Sequence, residues 1–189
     1  MNLDSVPARV RVVPRHTGFR PVYVFRVRES VRLAIIDRIR KNHALEHGTI
    51  AVLLQMGART PIAGNATPGG FNVYGHVSTE DVTAAASEAL RLLEDGHQEM
   101  AISPYCGTNL VVGAVLASVL TAIIMGNSKR TLRSVPLATT AILGSTFLGR
   151  PLGQLVQKHY TTLPDLDGAE ITKIRRLSIG RFTVHQVRV

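Results

Sequence analysis

Apolar positions along this chain keep three rhythms, and each predicts a different kind of element. The first is unbroken. No charged residue occurs between Glu99 and Lys129, and Leu110 to Met125 is apolar throughout apart from Ser118 and Thr121. As a helix this run spans about 24 Å, a little under the roughly 30 Å of a bilayer core. A second uncharged stretch runs from Ser134 to Gly149, with Pro136 placed for a first helical turn. The short basic loop "NSKRTLR" joins them. Gly113, Ala114, Ala117 and Ser118 in one segment, and Ala138, Ala141, Gly144 and Ser145 in the other, recur at helical spacing. Small residues so placed let two helices approach closely in lipid, so a transmembrane hairpin is expected. The plain alternative is a pair of buried helices in a soluble core.

The second rhythm repeats every three to four residues. Ser30 can cap a helix that continues to about Met56, with Gly57 as its stop. Ser78 and Asp81 have capping-box spacing ahead of a helix ending near Glu94. That helix carries Val82, Ala85, Ala86, Ala89, Leu90 and Leu93 on one face, and Gly96 closes it. The third rhythm is alternation. "ARVRVV", "RPVYVFRVRE" and "FNVYGHV" read as strands, "MAIS" as a short one, and "AEITKIRRL" and "RFTVHQVRV" as a closing hairpin around "SIG". "ARTPIAGNATPGG" reads as a loop and "LPDLDG" as a turn.

The expected fold is therefore α+β, with a two-helix transmembrane hairpin inserted between N-terminal α/β elements and a C-terminal β-hairpin. A basic arm of strands occupies 1–29. An α+β part over 30–104, containing a β-α-β unit, leads into the hairpin at 105–150, and 151–189 returns to the soluble part. A cell-membrane protein with two spans follows.

Charge sharpens this picture. The chain carries 22 Lys and Arg against 13 Asp and Glu, a net charge of +9. Ten basic and two acidic residues fall between Arg9 and Lys41. Beside a bilayer, that excess is best assigned to anionic lipid headgroups. A protein partner or a second copy of the chain are further candidates. Nucleic acid is not expected, since Trp is absent and aromatic residues make up 5% of the chain. One cysteine, Cys106, excludes an intramolecular disulfide. The opening "MNLDSVPARV" lacks the apolar run of a cleaved leader. Orientation stays open. Lys129, Arg130 and Arg133 argue for a cytoplasmic loop, and the leaderless basic arm argues for a cytoplasmic N-terminal side. A hairpin cannot satisfy both.

The chemistry sits in "RKNHALEHGTI". On a wheel turning 100° per residue, His43, Glu46 and His47 share a side with Ile36, Ile39, Ile50 and Leu54. Arg38, Lys41 and Gly48 fall opposite. Three ionisable groups thus interrupt an apolar stripe. Burying them without partners is costly, so a counter-charge is required. Two histidines four residues apart point the same way and can hold a divalent metal, zinc above others. Glu46 between them is the candidate general base, acting on water whose pKa the metal lowers to near 7. The alternative is a metal-free cluster, with Glu46 accepting from a histidine or from Arg40. For a third ligand, Cys106 ranks first, because a cysteine at a helix start has a depressed pKa. Free cysteine is more often a small buried hydrophobe. His76 and His97 read as surface histidines, and Asn109 as a helix-start hydrogen bonder.

"NHALEHGTI", "GGFNVYGHVSTEDV", "EALRLLEDG" and "CGTNLV", followed by the apolar pair and the "TT" and "VHQV" elements of the tail, resemble a small bacterial membrane-protein family of unknown function. The resemblance covers most of the chain beyond about Arg40. It implies an integral membrane protein and no particular activity. His43, Glu46 and His47 alone also resemble the inverted zinc peptidases, whose histidines hold zinc while the glutamate activates water. That likeness implies His43 and His47 as ligands and Glu46 as base. Glu88, on the following helix, stands where those enzymes place a third ligand, at a much shorter spacing and off its helix's apolar stripe. The leading expectation is a membrane-anchored α+β protein with a divalent-metal site on the helix from about Ser30 to Met56; if that site is catalytic, its reaction is metal-assisted, peptidase-like hydrolysis near the membrane surface. A non-enzymatic membrane subunit or scaffold is the alternative, and a thiol site at Cys106 a third.

Overall fold

The computed structural model describes residues 29–126, 131–166, 168–179 and 182–189. The two strands expected upstream of residue 29 lie outside these.

Helix α1 runs Glu29–Gln55, close to the expected extent, with Ser30 inside its first turn rather than capping it. Its second half is the centre of the molecule. Asn42, Ala44, Leu45, Glu46, His47 and Thr49 are all buried. Helix α2, Thr79–Glu94, starts where the cap predicts: the Ser78 side chain accepts from the Asp81 backbone N–H at 2.9 Å. It buries Val82, Ala85, Ala86, Ala89 and Leu93, and it packs on α1. The wheel placed Gly48 on a wet face. Instead a Cβ there would stand 3.1 Å from the Ala89 Cβ of α2, and Ile36 on the dry stripe is 50% exposed. A wheel ranks the faces of one helix by polarity. It has no means of knowing that a glycine opposite the stripe admits a second helix.

A four-stranded antiparallel sheet covers another side of α1. Its strands are β1 Ala63–Thr67, β2 Gly70–Tyr74, β3 Lys173–Ile179 and β4 Phe182–Arg188, in the order β1-β2-β4-β3. The C-terminal hairpin forms as expected and docks through β4 onto β2. Phe71, Val73 and Val187 join Leu45, Leu53 and the α2 face in one core. Two expectations fail. β1 lies inside the segment read as a loop, since its small residues have little strand propensity of their own. Pairing imposes the conformation: Thr67 faces Gly70 across a two-residue turn. Gly70 has φ +133°, and a Cβ there would strike the Val187 carbonyl. "MAIS" is not a strand. Gln98–Ala101 is a 3₁₀ turn against α1, so no β-α-β unit exists among the described residues. The Ala101 carbonyl of this turn is engaged by His47 of α1 rather than by a sheet.

Helices α3, Gly107–Gly126, and α4, Thr131–Val156, pack side by side. A Cβ on Gly113 would stand 3.2 Å from the Ser145 carbonyl oxygen, and one on Gly149 would stand 3.0 Å from the Gly113 Cα. Asn109 in turn meets Gly153, so the pair is antiparallel and closes through small residues. α4 starts at Thr131, which leaves Pro136 inside it rather than in its first turn, and it continues through Arg150 and Pro151. A π-helical turn, Gln157–Thr161, ends it. Among the described residues one helix, α3, is long and apolar enough to cross a membrane, where two were expected. α4 falls short because Arg133 and Arg150 bracket its uncharged run.

The Ser78 cap gives a direct test of this part of the fold. Ser78→Ala should lower stability by about 1 kcal/mol in a denaturant titration, and Ser78→Asp should stay close to wild type.

Candidate metal centre

Helix periodicity places His43 and His47 one turn apart on α1, with ring centroids 4.3 Å apart. The 3₁₀ turn and the start of α3 bring Cys106 to them. One ligand atom from each of His43, His47 and Cys106 falls within 4.8 Å of the other two. His43 Nε2 lies 3.4 Å from Cys106 Sγ. A tetrahedral zinc with bonds of about 2.0–2.3 Å needs ligand separations of roughly 3.3–3.7 Å. The His43–Cys106 edge already fits, and the widest edge must close by about an ångström.

The second ring nitrogens decide what the imidazoles can do. His43 Nδ1 lies 2.9 Å from the Thr161 carbonyl oxygen, and His47 Nδ1 lies 2.7 Å from that of Ala101. A carbonyl only accepts, so both Nδ1 atoms carry the proton. When neutral, each ring then has an Nε2 lone pair for a ligand; when His43 is protonated, its Nε2–H donates to Cys106 Sγ instead. Metal-binding histidines are commonly held in this way. Both carbonyls come from irregular turns, the π turn and the 3₁₀ turn. The Cys106 loop is clamped as well. Gln157 Oε1 accepts from Ser103 N at 2.9 Å, while its Nε2 donates to Ser103 O at 3.1 Å and to Asn109 Oδ1 at 2.7 Å. Asn109 Nδ2 donates to Pro104 O at 2.9 Å.

Glu46 stands apart from this group. It is 4% exposed and makes no hydrogen bond or ion pair with a described residue. Arg40, the alternative partner, reaches Asp37 at 3.2 Å and the Thr162 carbonyl instead. The Glu46 side chain lies on Gly64 of β1, where a Cβ would stand 2.8 Å from its Cγ and Cδ. A cavity of about 530 Å³ opens between these parts, lined by His43, Glu46, His47 and Cys106 together with β1 and the Ser103–Thr108 segment.

Electrostatics follow from this layout. Burial pushes the Glu46 carboxyl above its ordinary value, and the neighbouring His47 and His43 only partly offset that. Burial opposes ionisation of Cys106, but hydrogen bonds from His43, His47 and Thr108 outweigh it and bring the thiol down to about 5. Burial lowers His43, yet the hydrogen bonds to Cys106 and Thr161 leave it raised.

The chain matches the family described as "Domain of unknown function (DUF6391)" over residues 38–174. It belongs to that family. The matched span contains every residue of the centre. It is also 36% identical over 138 residues to an uncharacterized protein of Picosynechococcus sp., covering 66% of this chain and 65% of that one. The chain thus spans about 65% of that relative's length. No solved structure matches.

Of the residues singled out from sequence, His43, His47 and Cys106 converge, and Glu46 faces the same cavity. His76 and His97 are exposed, and His97 pairs with Glu99 at 3.0 Å. Glu88 pairs with Arg91 at 2.7 Å on the surface of α2 and is no ligand. Asn109 does bond near the α3 start, but it also braces Gln157. Sequence reasoning missed Gly64, Gln157 and the carbonyls of Ala101 and Thr161. Backbone carbonyls carry no residue signature, and the other two gain meaning only from their neighbours.

The thiol tests this geometry without a metal. In chelator-treated protein, iodoacetamide should alkylate Cys106 with an inflection near pH 5, not near the ordinary thiol value of about 8.5. His43→Ala should move that inflection up by a unit or more. Because the folded pKa is depressed, the thiolate's stabilisation is complete above the unfolded thiol value and fades as pH falls through about 5.

Proposed function

We propose that this protein is a membrane-embedded, metal-dependent hydrolase whose His43, His47 and Cys106 hold a divalent ion, zinc by its preference for imidazole and thiolate. One observation carries the reading. Two histidines with their Nδ1 protons committed to carbonyls face a cysteine, and a buried carboxylate on the same helix lines the same cavity. A bound ion would supply Lewis acidity and lower the pKa of a water to near 7. Three protein ligands leave a position open to the cavity, as catalytic rather than structural sites do. Glu46 then accepts the proton of the attacking water and passes it to the leaving group. Its raised pKa suits that exchange near neutrality. His43 and His47 stay oriented by Thr161 and Ala101, and Gln157 holds the Cys106 loop in place.

A thiol reading is the rival, favoured by the 3.4 Å His43–Cys106 contact and the Thr108 N–H that donates to Sγ at 3.4 Å. There Cys106 is the nucleophile and His43 its base, with no metal.

The same proposal sets α3 and α4 as a hairpin in the bilayer. Leu110, Val111, Val115, Val119 and Ile123 on α3 are exposed, as are Leu137, Leu143, Phe147 and Leu155 on α4. So large an apolar surface requires a cover. Ser118, Thr139, Thr140 and Ser145 each donate to the carbonyl four residues back, so their hydroxyls need no water. The centre then lies at the end of the hairpin where α3 begins and α4 ends, beside the anionic headgroups that the basic arm fits.

Protein purified without chelator should carry close to one equivalent of zinc or a similar ion by mass spectrometry, and His43→Ala or His47→Ala should lose it. Glu46→Gln should keep the ion while hydrolysis of a p-nitrophenyl ester falls by about 10²- to 10⁴-fold. Chelation should abolish that hydrolysis; hydrolysis that survives it favours the thiol reading. In sealed vesicles, protease should reach the segment before α1 and the C-terminal hairpin from the same side. Access from opposite sides means a single span.

A further inference from the structure

The cavity touches Ile62, Ala63, Gly64, Asn65 and Ala66 in succession. Consecutive residues of a strand point to opposite faces, so a space that meets all of them runs along the strand's edge. Among the described residues β1 is an outer strand of the sheet. Two backbone hydrogen bonds fix which of its groups face outward. Gly75 N–H donates to Thr183 O at 3.2 Å, and Val189 N–H donates to Gly69 O at 3.4 Å. The odd-numbered residues of β2 therefore face β4. Its even-numbered residues, Gly70, Asn72 and Tyr74, face β1 and exchange bonds with Thr67, Asn65 and Ala63. Gly64 and Ala66 are left with N–H and C=O directed out of the sheet, along the cavity.

The two outer edges of the sheet differ. β3 carries Lys173, Arg175 and Arg176, charges of the kind that protect an edge from pairing. β1 has no charge, no proline and no bulge, and its register is continuous. An unprotected edge that lines the cavity of a chemical site is suited to receive a strand. The lining also restricts what that strand carries. Among the described residues no lysine or arginine borders the cavity, so a phosphate or carboxylate finds no fixed cation from them there. Ile39, Ile50 and Ile62 offer apolar surface.

We propose that the substrate is an extended, uncharged polypeptide segment, bound as an added strand along the outer edge of β1 through Gly64 and Ala66. The chemistry rests on the hydrolase reading above, but the binding does not. A backbone paired with Gly64 lies beside the Glu46 carboxylate, because Gly64 is the residue that carboxylate rests on. Hydrolysis there adds the water oxygen to the carbonyl carbon and breaks the C–N bond. One water proton reaches the departing amine by way of Glu46, and the other stays on the new carboxyl group.

Ala66→Pro removes one outward N–H without touching a bond to β2, and proline is tolerated on such an edge. The test uses full-length protein in detergent micelles, with Glu46→Gln present to prevent turnover. The probe is a fluorescein-labelled, end-blocked octapeptide of alternating Val and Thr, followed by anisotropy, with metal content measured in parallel. Ala66→Pro should weaken probe binding at least tenfold at unchanged metal content. A probe N-methylated at alternate residues on its pairing edge should lose as much on the protein without Ala66→Pro, which decides the matter should Ala66→Pro misfold. Failure of the probe to bind, or equal binding of the methylated probe, overturns the proposal. So does a dimer that Ala66→Pro dissolves with no probe binding, which would assign the edge to a second copy. Probe binding that obeys both tests in protein devoid of metal upholds the strand site while removing the hydrolase reading. Metal retained with no strand binding does the reverse.

Discussion

A nearly buried carboxylate with no hydrogen-bond partner among the described residues sets the terms for the rest of this structure. Glu46 sits in the buried stretch of α1 and faces the cavity. Such a group is tolerated when a positive charge stands nearby or when its own protonation is in use. Each imidazole is oriented by a carbonyl, so that it can carry a positive charge beside Glu46 and the Cys106 thiolate or, when neutral, offer Nε2 to an ion, and Gly64 leaves room for the carboxylate.

The apolar helix pair and the centre are one mechanical unit. Asn109 and Gln157 serve both. Asn109 is buried against Gly153 at the α3–α4 contact, and Gln157 begins the π turn that follows α4. Together they grip the backbone of Ser103 and Pro104, which leads to Cys106. The same π turn delivers the Thr161 carbonyl to His43. A widened final turn of α4 thus fixes the Cys106 loop and the tautomer of His43. A tilt between the two helices would be felt at the centre through these few bonds.

Much of the local structure was legible because local rules decide it. The extent of α1, the Ser78 cap, the buried face of α2 and the closing β-hairpin follow from periodicity and capping, which act over a few residues. β1 was missed because Ala, Gly and Asn have no preference for extended backbone, and only β2 beside them imposes it. The wet face assigned to Gly48 was wrong for the matching reason: α2, remote in sequence, covers it. "MAIS" has strand-like composition, yet α1 claims its backbone through His47.

For the centre, the sequence by itself determined that His43, Glu46 and His47 share one side of a helix, since that depends only on the pitch of α1. It also marked Cys106 as the one thiol, at the start of an apolar helix. Tertiary structure alone decided that Cys106 meets the histidine pair, that Glu46 lies against Gly64 in the same cavity, and that the outer edge of β1 borders that cavity. Those facts depend on contacts among segments distant along the chain. Which of them meet is set by the burial of the whole core, and no rule of spacing contains that information.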